Sequence, residues 1–94
     1  MKVYDKSSWH IDADVAHDVV YAHFKNIFHW LNEKGFLNND GDEIYELGSF
    51  GDTSLHDGLL TETGKLFIEK NYADVLKQVP YGDAKIIDVL NDKL

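Results

Sequence analysis

Apolar residues recur at helical spacing in three stretches of the chain, and those stretches predict its architecture. Val20, Phe24, Ile27, Phe28 and Leu31 fall on one stripe of a helix predicted from about Ala13 to Lys34. Asp12 or Asp14 is placed to cap its start, where a carboxylate accepts free backbone N–H groups and suits the positive end of the helix dipole. Gly35 is placed to end it in the left-handed conformation, with Phe36 where a Schellman motif makes its apolar contact. A second helix is predicted from a Thr61 cap to about Gln78, with Ile68, Tyr72, Val75, Leu76 and Val79 on its stripe. Leu66 and Phe67 lie off that stripe, so this helix either bends near Asn71 or buries two sides. Pro80-Tyr81-Gly82 breaks it. Asp83 then caps a last helix that carries Ile86, Ile87, Leu90 and Leu94 to the C-terminus.

Between these stretches the pattern is weaker. Residues 1–12 read as an extended N-terminal arm tied down by its aromatic residues, because free termini seldom carry Tyr and Trp this densely. Asn38-Asn39-Asp40-Gly41-Asp42 reads as a turn. Glu43–Leu47 reads as one or two helical turns stopped by Gly48, with a short strand as the alternative, and Ser49–Gly58 reads as a loop. The expected fold is therefore all-α, a small bundle of three to four helices with an extended N-terminal arm, in a single domain spanning 1–94.

Composition narrows the functional classes. The chain has no cysteine, which excludes disulfides and thiolate zinc sites. No apolar run follows the N-terminal lysines or reaches spanning length, so the cytoplasm is the expected compartment and no membrane partner is implied. Net charge is −8, from 17 acids against nine lysines and no arginine. Without the guanidinium fork, and with a surface that repels phosphate, nucleic acid is a poor ligand. The same charge speeds encounter with a basic protein, although acidity for solubility alone is the simpler explanation.

Four residue groups could carry chemistry. His10, Asp12, Asp14 and His17 have the donor types of a divalent-metal site, but the aspartates have a use as caps and His17 falls near the centre of the first helix's apolar face. Asn38–Glu43 suggests calcium, yet the EF-hand positions that need acids hold Phe36 and Leu47. Asp52, Ser54, His56 and Asp57 are adjacent in a loop, with no nucleophile elbow, P-loop or dinucleotide fingerprint in the chain to support catalysis. The fourth group is favoured. Ala16, His23 and Trp30 recur every seven residues on one flank of the first helix, and Trp9 and His10 arrive from the arm. Packing the arm across that flank would bring Trp9, His10, His23 and Trp30 together, either as a docking seam for the arm, as a small recognition site, or as a proton-sensitive switch.

At these residues the sequence resembles a family of small bacterial proteins of unknown function. Tyr4-Asp5-Lys6-Ser7-Ser8-Trp9-His10 is similar to the family's opening YD-x-x-SWH, and His23…Trp30…Gly35 to its second signature, over roughly the first 36 residues. Members are similar in size and charge to the small acidic proteins that neutralise bacterial toxins. The expectation is a non-catalytic acidic protein-interaction module, an immunity-type antitoxin or regulatory partner, with no cofactor. The alternative is a small metal-dependent enzyme or metal sensor using His10 and His23 with Asp12 or Asp14. A weaker option is homodimerisation through exposed Tyr45, Phe50 or Tyr81.

Overall fold

The strongest stripe becomes the centre of the molecule. In the computed structural model, which describes residues 1–94, the elements run β1 (Val3–Lys6), α1 (Ser7–Ile11), α2 (His17–Glu33), α3 (Asn39–Leu47), β2 (Ser54–His56), a 3₁₀ turn (Asp57–Leu59), α4 (Glu62–Gln78) and α5 (Ile86–Asp92). Val20, Phe24, Ile27, Phe28, Trp30 and Leu31 of α2 are all fully buried. Burial of each large side chain is worth about 1.5–3 kcal/mol, so this helix organises the core that α3, α4 and α5 complete. It ends as its sequence predicts. Gly35 has φ +70°, the Phe36 N–H donates to the Leu31 carbonyl at 2.9 Å, and the Gly35 N–H donates to that of Asn32 at 3.2 Å. Phe36 then packs edge-on against Trp30.

The start of α2 differs from expectation. Asp14 sits at φ +64°, outside helical space, so the helix begins at His17 after an Ala16 N-cap that has no side-chain capping bond. Neither Asp12 nor Asp14 caps it. His17 lies in an exposed first turn, not on the apolar face, because the buried stripe starts only at Val20. The segment ahead is not an extended arm throughout: Val3–Lys6 is a strand, but Ser7–Ile11 turns into a short helix.

The turn-like run before α3 is the first turn of that helix. Asn38 accepts the Gly41 N–H at 2.9 Å as its cap, and the helix closes at Gly48. Gly41 is buried against the 3₁₀ turn, where a Cβ would stand 2.2 Å from the Leu59 carbonyl oxygen. The stretch expected as a loop holds β2. Its three residues pair antiparallel with β1 (Val3 with His56, Asp5 with Leu55, Lys6 with Ser54), with an irregularity between Val3 and Asp5. The fold is thus mostly helical, as expected, with five helices and the addition of a small two-stranded sheet.

Thr61 caps α4 by accepting the Gly64 N–H at 3.1 Å. The helix is continuous and buries two sides, since Phe67 packs against Trp30 and Phe36 while Leu66 stays exposed. Asp83 accepts the Lys85 N–H in a turn just ahead of α5. Of the aromatics expected at the surface, Phe50 is buried, Tyr81 turns inward, and Tyr45 is partly buried and bonded to His29. No helix is long and apolar enough to cross a membrane.

Candidate functional site

One polar cluster lies inside the apolar core, and Asp5 is its centre. The β1 strand places this carboxyl under α2 and α4, where it is only 2% exposed. An ionised carboxylate at such depth requires several donors. Oδ1 accepts the Lys6 N–H at 2.8 Å and His10 Nε2–H at 2.6 Å. Oδ2 accepts the hydroxyls of Tyr72 and Tyr81. His23 Nε2 stands 2.9 Å from the Tyr72 oxygen and 3.3 Å from Asp5 Oδ2. With the Tyr72 proton pointed at Asp5, its oxygen is free to accept from His23, which assigns a proton to Nε2 of both imidazoles. The Tyr81 ring completes the cluster by lying against both imidazole rings, with centroids 4.1 Å from His10 and 3.8 Å from His23.

The electrostatics follow from this geometry. Burial alone would raise the Asp5 pKa; the hydrogen bonds from His23, Tyr72, Tyr81 and His10 outweigh it and hold the carboxyl well below the usual carboxylate range. Burial, reinforced by the Asp5 charge, pushes Tyr72 and Tyr81 above the ordinary phenol value. Each of the five side chains comes from a different segment: β1, α1, α2, α4 and the turn before α5. The cluster therefore fastens the N-terminal segment to the helical body.

Of the four residues expected to meet, His10 and His23 do, through Asp5 and Tyr81. The two indoles stand apart from them. Trp30 donates Nε1–H to Asn91 Oδ1 at 2.8 Å and packs on Phe36 and Phe67, tying α2 to α5 and α4. Trp9 is half exposed. Ala16 is an exposed N-cap and leaves no slot beside His23. The turn at residues 12–14 brings α1 to α2 at the level of His23, about two helical turns along the axis from both Ala16 and Trp30.

Asp5, Tyr72 and Tyr81 were not legible as site residues. Tyr72 shares the core stripe of α4, and nothing in the sequence separates a phenol that reaches a buried partner from one that only packs. Asp5 carries one faint signal, its place beside Tyr4 in the YD-x-x-SWH run.

The remaining candidates disperse. Asp12, Asp14 and His17 are exposed while His10 turns inward, and no three His, Asp or Glu side chains assemble as a metal-binding set. Nε2 of His10 and Nε2 of His23 each face an acceptor at hydrogen-bonding distance, so the cluster is packed as a donor–acceptor network. His56 Nδ1 accepts the Gly58 N–H at 3.1 Å, and no hydrogen bond joins His56 to Ser54. Two surface grooves, of about 280 and 320 Å³, are lined by Glu43, Glu46 and Leu47 and by residues of β1 and α4 including Tyr4 and Tyr72. Neither reaches His10 or His23. The chain matches no protein-family model, no curated protein and no solved structure.

Proposed function

We propose that this chain is a non-catalytic interaction module for a basic protein partner, of the immunity-type or regulatory kind. The supporting observation is how its charge is distributed. Residues 35–64 carry seven acids and no lysine, whereas the other 64 residues carry ten acids and all nine lysines. Nearly the whole net charge thus sits on α3, β2 and the segments that join them. Asp40, Asp42, Glu43 and Glu46 are exposed on α3 with no ion-pair partner, next to a Leu47 that is 73% exposed. A locally concentrated negative field raises encounter rates with a positive partner by about 10- to 1,000-fold at low salt. The imidazole–carboxylate cluster, which a catalytic reading would need, is committed to hydrogen bonds within the fold and has no groove opening onto its imidazoles.

Affinity capture at low and at high salt, followed by reconstitution with the purified partner, tests this reading. The expected partner is basic, and its association rate falls about tenfold when Asp42→Asn, Glu43→Gln and Glu46→Gln are combined. An interaction indifferent to both salt and this triple change, or an acidic partner only, would overturn it.

A further inference from the structure

We infer that Trp9 is the contact anchor of that interface, received by an apolar pocket on the partner whose rim carries lysine or arginine; this rests on the interaction-module reading above. Trp9 is 50% exposed. Trp30 shows what the fold does with an indole that it uses: the ring packs on two phenylalanines and the N–H is satisfied by Asn91. Trp9 takes part in none of the ring contacts or side-chain hydrogen bonds that hold the fold together.

The backbone beneath Trp9 is nevertheless clamped on both sides. Two residues earlier, Ser7 is buried. Its hydroxyl donates toward the carbonyls of Phe50 (3.2 Å) and Thr53 (3.0 Å), and its oxygen lies 3.0 Å from the Thr53 N–H. One residue later, His10 is bound to Asp5, and its carbonyl accepts the Val15 N–H at 2.9 Å. A partner meeting this indole does not have to order the chain that carries it, and pre-organised aromatic residues of this kind dominate binding energy.

The surroundings indicate the chemistry of the pocket. Asp12 is three residues on, still in helical conformation, and so neighbours Trp9 on the α1 surface. Asp14 and Asp18 are exposed just beyond, and Lys6 is the only lysine between Val3 and Phe24. A lysine or arginine at the pocket rim would meet these carboxylates and also the indole face, which attracts cations. The pocket must supply an acceptor for the indole N–H, for which a backbone carbonyl suffices.

The probe is a library of disulfide-constrained random peptides displayed on phage and selected on the wild-type protein, with the best binder synthesised. The inference expects lysine or arginine beside apolar residues in the selected peptides. It expects an affinity loss of about thirtyfold or more on Trp9→Ala, mainly as faster dissociation. In wild-type protein labelled with 5-fluorotryptophan, the Trp9 fluorine resonance shifts on binding and that of Trp30 stays. Because Trp9 is exposed, Trp9→Ala keeps the wild-type circular dichroism and melting curve, which separates lost contact from lost fold. Peptides that bind Trp9→Ala undiminished but fail on the combined α3 variant overturn this inference and leave the interaction reading standing. A selection that yields no binder above unselected phage counts against both. Dimerisation of the wild type that Trp9→Ala abolishes would put a second copy on the indole and overturn the basic-partner assignment.

Discussion

Replacing Asp5 by asparagine keeps the shape of the side chain while removing its charge and turning one acceptor oxygen into a donor. The magnitude follows from what surrounds it. Asp5 accepts four hydrogen bonds from the Lys6 N–H, His10, Tyr72 and Tyr81. Bonds to a charged acceptor contribute about 1.5–3 kcal/mol each and neutral ones about 0.5–1.5, so the lost charge assistance amounts to a few kcal/mol. Relief from burying a charge offsets part of this. The hydroxyls of Tyr72 and Tyr81 can also reverse to accept from the new amide. Asp5→Asn is therefore expected to cost about 2 kcal/mol. Asp5→Ala removes the acceptor that His10, Tyr72 and Tyr81 share, leaving His10 and Tyr81 only each other as partners and the Tyr72 proton with none, and is expected to cost about 4 kcal/mol, a large share of a small domain's stability. Urea unfolding followed by tryptophan fluorescence and circular dichroism measures both, with unchanged m-values. The pH dependence supplies a second check. The folded Asp5 pKa lies below its unfolded value, so the stability it lends is complete above the unfolded pKa of about 4 and is lost as pH falls toward the folded value. The gap between wild type and Asp5→Asn should accordingly close on acidification. An asparagine variant as stable as wild type at neutral pH, or a gap that widens in acid, would refute the network as described.

Three further outcomes are expected. An alkaline titration followed by phenolate absorbance checks the three phenols that the fold perturbs. Tyr4, Tyr72 and Tyr81 hold their protons because burial and nearby carboxylates raise their pKa values. The stability they lend is full below the unfolded phenol value of about 10 and is lost as pH rises through the folded values, so ionisation of these three phenols at about pH 10 with the fold intact would contradict the burial described. Gly41→Ala sets a methyl group against the Leu59 carbonyl oxygen and is expected to lower stability by about 1–3 kcal/mol in the same unfolding assay; a neutral result would mean that α3 does not approach the 3₁₀ turn this closely. Asn91→Ala removes the acceptor of the buried Trp30 N–H and should cost about 1–3 kcal/mol, whereas Trp30→Ala should cost about 3–5; equal and small losses would show that α5 is not fastened through this pair.

The amino-acid pattern by itself determined the features that local physics controls. The apolar stripe of Val20, Phe24, Ile27, Phe28 and Leu31, the Gly35–Phe36 stop and the Thr61 cap each depend on residues within a turn or two of one another, and each stands in the structure as predicted. The departures share the opposite cause. Ser-Leu-His becomes a strand only because β1, some fifty residues away in the chain, offers it a partner. Ser7–Ile11 turns into a helix because Ser7 and His10 are bonded to Thr53 and Asp5. Asp5 stood in the sequence only as one letter of the YD-x-x-SWH run, with no partner in view. It is a buried carboxylate because Tyr72 and Tyr81, distant in sequence, deliver their hydroxyls to one of its oxygens while His10 reaches the other, and a charge leaves water only when such donors are already in place. Helix periodicity is written within a few residues; where a polar side chain ends up depends on which remote donors the tertiary packing brings to it.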